Sequence, residues 1–239
     1  MIWSMRGLFV VADDRTGALE VAGACADATG APVVVETSLR HDDGAPRIRV
    51  VDLGTRHLAA REAADRAGAV GTFDAAAADS PVVHAHKIDS TLRGNWAAEL
   101  VARHVATGRR VLVVPAFPLV GRQCIGGVVV ANGVPVAEGA AGVDARGAVA
   151  SSRPAELLRA AGASTVVELR RGAPLDGWLR RTSAASAAFA VCDAGDDSDL
   201  HAIAAAWTDV AVDVLFAGTA GSIGAAAAAL AGPGGPRGP

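Results

Sequence analysis

Short apolar runs alternate along this chain with longer amphipathic or alanine-rich stretches, and that alternation restricts the fold more than any other feature. The runs are residues 8–12, 32–36, 48–53, 82–86, 111–114, 165–169, 189–192 and 214–217. Most are near-continuous in Val, Leu, Ile and Phe, the pattern of parallel strands buried on both faces. Between them, residues 17–29, 57–69, 95–106, 154–161, 200–207 and 222–230 read as helices. The order predicts an α/β fold: an open, mostly parallel, Rossmann-like sheet with helices on both faces. One segment departs from it. Residues 128–131 and 134–136 flank Asn132-Gly133, a dipeptide that favours a type I′ turn, and predict a β-hairpin excursion that covers a cleft or meets a second subunit.

A chain of 239 residues suits one large domain, expected over residues 1–231, with the Gly/Pro-rich residues 232–239 as a disordered tail. A hydrophobic content of 51% argues against general disorder, and a formal charge of −3 against a nucleic-acid partner. The three cysteines, Cys25, Cys124 and Cys192, lie far apart and suggest neither disulfides nor a zinc site. No run has the length of a membrane span or the form of a targeting segment, so a cytoplasmic protein without a membrane partner is expected.

Lys87 is the single lysine beside 21 arginines, and it opens the string Lys87-Ile88-Asp89-Ser90-Thr91-Leu92-Arg93-Gly94-Asn95. An ammonium is a compact point charge, whereas a guanidinium is a planar fork. A chain that otherwise avoids lysine and sets one among Asp, Ser, Arg and Asn points to a need for the smaller head.

Polar clusters of this kind recur after the predicted strands. Asp13-Asp14-Arg15-Thr16-Gly17 follows the first, and the Lys87 string follows the fourth. Pro115-Ala116-Phe117-Pro118 with Gly121-Arg122, then Asp193, then Gly218-Thr219-Ala220-Gly221-Ser222 follow later ones. In a parallel sheet these carboxyl ends share one edge, where ligands bind. Two cations near a helix start suit a carboxylate or phosphate, and the hydroxyl and amide groups suit a polyol. Arg122 adds a second fork, or pairs with an Asp. Asp14 or Thr16 also fits a helix cap, and Asp13 fits a proton acceptor. The acids from Asp193 to Asp199 read as caps of the helix beginning near Leu200. His84 and His86 share a strand face without a third ligand, so no metal site is expected. No Walker loop or nucleophile elbow is present.

In this order the clusters, with Asn132-Gly133-Val134-Pro135-Val136, resemble the N-terminal domain of the four-carbon acid sugar kinase family over about residues 7–231. The resemblance implies phosphorylation of the terminal hydroxyl of a four-carbon sugar acid of the threonate or erythronate type, with ATP and Mg²⁺. It places the acid in this domain and most of the nucleotide site in a separate C-terminal domain. Carried over by motif, Asp13 and Asp89 become candidate catalytic bases. Asp14, Thr16, Lys87, Ser90, Arg93, Asn95 and Arg122 become candidate substrate-binding residues. Some positions depart from the family pattern: Glu20 stands for Asp, Thr219 for Ser, and Gln123-Cys124-Ile125-Gly126 for a stretch richer in Thr and Asn. The chain ends where the family's second domain would begin. The expectation is therefore a substrate-binding half, inactive and without tight ATP binding when alone, its nucleotide domain either lost or supplied by a separate domain or subunit. The alternative is a non-catalytic sugar-acid-binding or regulatory module of the same descent. The hairpin suggests a homodimer.

Overall fold

The computed structural model describes residues 7–38, 47–74, 82–180 and 187–232. Along the chain run β1 (Leu8–Ala12), α1 (Arg15–Thr29), β2 (Val33–Glu36), β3 (Ile48–Asp52), α2 (Ala60–Asp74), β4 (Val83–Lys87), α3 (Trp96–Thr107) and β5 (Arg110–Val114). Then come β6 (Arg122–Ile125), β7 (Val128–Ala131), β8 (Val134–Pro135), α4 (Pro154–Ala160), β9 (Val166–Leu169), α5 (Asp176–Leu179), β10 (Phe189–Cys192), α6 (Asp197–Trp207), β11 (Val214–Gly218) and α7 (Ala220–Ala231).

All eight apolar runs become strands of one sheet, ordered β2-β3-β1-β4-β11-β5-β10-β9, and every pairing in it is parallel. The uninterrupted apolar character of the runs follows from burial on two sides. In β1, Val10 and Ala12 face the core under α1, α6 and α7, while Phe9 and Val11 pack with Val51 and with Val70 of α2. Under α3 and α4, Leu100 and Leu158 meet Val111, Val113 and Leu215. Trp207 lies against Phe216 with ring centroids 4.9 Å apart, and both are fully buried. Truncating either to Ala would cost about 3–5 kcal/mol.

The helix ends follow local chemistry. Asp14 caps α1 by accepting from the Gly17 N–H at 2.7 Å. Asp196 and Asp199 form a reciprocal capping box at the start of α6. Thr219 caps α7 and donates its hydroxyl to the Ala116 carbonyl at 2.6 Å, tying the loop after β11 to the loop after β5.

The expected hairpin is present: β7 pairs antiparallel with β8, and Asn132 and Gly133 both have positive φ (51° and 83°). It is part of a larger unit. β6 pairs antiparallel with β7, so the excursion is a separate three-stranded sheet. Neither β6 nor the short α5 carries a periodic apolar signal. Except for Gly232, the expected tail lies outside the described residues.

From β1 the chain moves outward to β2 and β3, whereas from β4 it crosses to the far half of the sheet. β1 and β4 are direct neighbours, so the reversal opens a crevice beyond their carboxyl ends.

Candidate functional site

Two of the predicted clusters, those of Asp13 and Lys87, meet at this crevice, but a residue outside them organises it. Arg56 lies in the loop between β3 and α2. The Asp13 carbonyl accepts from the Thr55 and Arg56 N–H groups at 2.8 and 3.1 Å, which seats that loop over the end of β1. Asn95 holds it from the other side, donating its amide to the carbonyls of Thr55 and Leu58, both at 2.9 Å. The Arg56 guanidinium then grips Asp13 with two hydrogen bonds of 2.8 Å. It reaches Asp14 at 2.7 Å and Asp89 at 3.5 Å.

One planar cation therefore serves three carboxylates. Asp13 has no exposed surface, and Gly94 closes over it. A Cβ on Gly94 would stand 2.9 Å from the Asp13 carboxylate, at a φ of 84° that already favours glycine. Burial raises the Asp13 carboxyl to about 6, against the opposing pull of Arg56.

Asp89 behaves in the opposite sense. Burial would raise it as well, but hydrogen bonds from Arg93 and Thr91 and the charge of Arg56 hold it well below the usual carboxylate range. It accepts from the Arg93 side chain at 3.0 and 3.1 Å, and from the Thr91 hydroxyl and N–H at 2.5 and 3.1 Å. Arg93 continues to Asp144 at 3.3 Å. A carboxylate so fully engaged is a poor proton acceptor and a good clamp on the loop that carries Arg93.

Beside this network lies a cleft of about 700 Å³, lined by Asp14, Arg56, Arg93, Asn95, Trp96 and Asp144 among others. Lys87 sits on the other side of the Asp13-Asp14 loop, against the start of α1. Its buried ammonium donates to the Ile88 carbonyl at 3.0 Å and stands 3.4 Å from Glu20 of α1.

The other expected residues are placed as follows. Thr16 is exposed on the first turn of α1, and Ser90 is half-buried in the turn after β4. Arg122 stands apart: its guanidinium donates to the Val120 carbonyl, and among the described residues it makes no ion pair with the Arg56 network. Arg56, Glu20 and Asp144 were not among the expected site residues. Arg56 sits in Gly54-Thr55-Arg56-His57, which reads as an ordinary loop, and its partner Asp13 is 43 residues away in sequence. For Glu20 the signal was its departure from the family pattern.

The family of sugar-binding N-terminal domains matches residues 8–226. The chain belongs to this family. The resemblance to the N-terminal domain of four-carbon acid sugar kinases is thereby borne out, and named relatives agree with it. This sugar-binding N-terminal domain is 32% identical over 230 residues to a D-threonate kinase of Cupriavidus necator, a match covering 88% of this chain and 51% of that protein. It is 30% identical over 219 residues to a D-threonate kinase of Salmonella typhimurium, covering 89% of this chain and again 51% of the relative. The chain thus spans about half the length of the curated relatives it matches. Among solved structures it resembles a Bordetella bronchiseptica protein, a domain-swapped dimer with bound citrate. The TM-score there is 0.74 at 29% identity, over 95% of this chain and 57% of that one.

Two further features of the sugar-binding domain belong to its framework. His86 lies with Nε2 2.9 Å from Glu99, while Arg103 approaches His86 Nδ1 at 3.4 Å and His84 Nδ1 at 3.2 Å. A guanidinium only donates, so both Nδ1 atoms accept. Burial, opposed by Glu99 and helped by the charges of Arg103 and Lys87, keeps His86 below its ordinary pKa. The two histidines bind α3 to the sheet. Among the described residues no group of three or more His, Cys, Asp or Glu is placed to hold a metal ion.

Asp193 is no helix cap, unlike Asp196 and Asp199. It accepts from the N–H groups of Gly126 and Gly127, each at 2.8 Å, and pins the β6–β7 turn to the end of β10.

Proposed function

We propose that this chain is the substrate-binding half of a kinase for a four-carbon sugar acid such as D-threonate, with the acid held at the β1/β4 crevice. The observation that carries the reading is the buried Lys87 ammonium beside the Arg56-organised carboxylates. Lys87 ends β4 in register with Ala12 of β1, so a compact cation stands at the switch point where the Arg56-organised carboxylates gather. Lys87 takes the carboxylate, and Asp14, beside it across Gly17, accepts from a hydroxyl, while Arg93 and Asp144 border the cleft on the far side of the Asp13-Asp14 loop. Asp13 acts through Arg56 to fix the loop geometry, because a carboxylate with no exposed surface meets no substrate directly. The citrate bound by the Bordetella relative is also a small hydroxy acid, which supports this ligand class.

ATP and Mg²⁺ serve the complete enzyme in this reading and belong to its other half. The carboxylates present here do not fit a metal, since Asp13, Asp14 and Asp89 are already paired with guanidiniums. What this half supplies is orientation of the acid, which is most of what phosphoryl transfer asks of a protein.

Calorimetric titration with D-threonate tests the reading. Wild type is expected to show saturable binding indifferent to Mg-ATP. Lys87→Ala is expected to bind about 10–100-fold more weakly with unchanged circular dichroism. Equal affinity of the two proteins would refute the role of Lys87.

A further inference from the structure

The partner of Lys87 has properties that the role of Lys87 alone does not explain. The ammonium is 3% exposed and is fixed from below by the Ile88 carbonyl at 3.0 Å. Above it, Glu20 is 46% exposed and approaches only to 3.4 Å. That is long for a charge-assisted hydrogen bond, which settles near 2.7–2.9 Å. Among the described residues Glu20 makes no other ion pair, and no other carboxylate lies within ion-pair distance of Lys87. The inner contact is therefore tight and backbone-held, whereas the outer one is loose and ends on a side chain that solvent reaches.

The start of α1 packs closely on the ammonium because position 17 has no side chain. A Cβ on Gly17 would stand 3.1 Å from the Lys87 Nζ and 2.7 Å from Asp14. An ammonium has three donors. One goes to Ile88 and one faces Glu20, so a ligand reaches the ammonium from the exposed side that Glu20 occupies.

We propose that Glu20 is an internal counter-carboxylate: it neutralises Lys87 in the empty site and is displaced when an acid ligand arrives. This rests on the reading that Lys87 receives the ligand's carboxylate. Burying a cation without a partner is unfavourable, so an empty site needs a resident anion. A partner on a half-exposed helix surface meets that need and moves away at little cost, because its carboxylate returns to water. Glu20 thus tunes the site's affinity for acids against neutral polyols. Every ligand carboxylate competes with it, and a neutral polyol does not.

Calorimetry on wild type, Glu20→Gln and Lys87→Ala, each titrated with D-threonate and with neutral threitol, tests this. Glu20→Gln removes the charge and keeps the shape. It is expected to bind D-threonate about tenfold more tightly than wild type, with threitol binding unchanged. D-threonate bound no more tightly by Glu20→Gln, while Lys87→Ala loses binding, would overturn the competition and leave the Lys87 role standing. An equal gain for threitol would also overturn it, since the effect would then not be one of charge. D-threonate bound by none of the three proteins would overturn the sugar-acid reading and this proposal with it.

Discussion

At the scale of single residues, the site is built around two buried charges with opposite titration behaviour. Asp13 is raised to about 6 chiefly by burial, and Asp89 is held low by its donors. A carboxyl raised in the fold favours the protonated folded form. The fold therefore loses stability as pH climbs from the unfolded value of 3.8 through about 6. The shift corresponds to about 3 kcal/mol. Asp89 contributes in the reverse direction, with stability present above its unfolded pKa and lost as pH falls below it. Asp13→Asn removes the first dependence. In urea unfolding from pH 4 to pH 7 the variant is expected to gain about 3 kcal/mol relative to wild type across that window. A pH-independent difference would show that Arg56 outweighs burial. The acids themselves were legible in the sequence as two adjacent carboxylates after a strand. Arg56 was not, because a loop arginine carries no periodic signal and its function depends on a contact 43 residues away.

At the scale of elements, the strands were legible and the excursion only partly so. A strand buried on both faces announces itself by composition, as Leu8–Ala12 does. The Asn132-Gly133 turn announces itself by dipeptide. β6 does neither: Arg122-Gln123-Cys124-Ile125 mixes charge, amide and apolar residues, and it is a strand because β7 pairs with it and Asp193 holds its turn. Asp193→Ala leaves the N–H groups of Gly126 and Gly127 without their acceptor. It is expected to destabilise the fold by about 2 kcal/mol. Hydrogen exchange should show the loss confined to residues 122–135, with the amides of β1 and β4 as protected as before. Loss of protection throughout the main sheet would show that the small sheet is integral to the core.

At the scale of the whole molecule, the site lies open on one edge of the sheet, and relatives of about twice the length bear the kinase name. Under the reading proposed above, the isolated chain should bind D-threonate without consuming ATP. Turnover, followed as ADP release, should appear when the C-terminal half of the Cupriavidus necator relative is added. Turnover by the chain alone would place a complete nucleotide site within these residues. Parallel sheet and helical faces were readable from the alternation of runs, but their lateral order was not. Nothing in the residues of β11 states that it lies between β4 and β5.

That position has a consequence for how the chain leaves the ribosome. Strands β2, β3, β1 and β4 form one contiguous group, and β5, β10 and β9 another, and only β11 is hydrogen-bonded to both. Until residues 214–218 have emerged, the nascent chain holds two half-sheets with bare inner edges. Such edges are open to mispairing, and long-range parallel pairing is slow. The last strand of this sheet to be synthesised is thus the wedge that joins them, so residues 214–218 must emerge before the Lys87 side of the crevice meets the Gly218 loop.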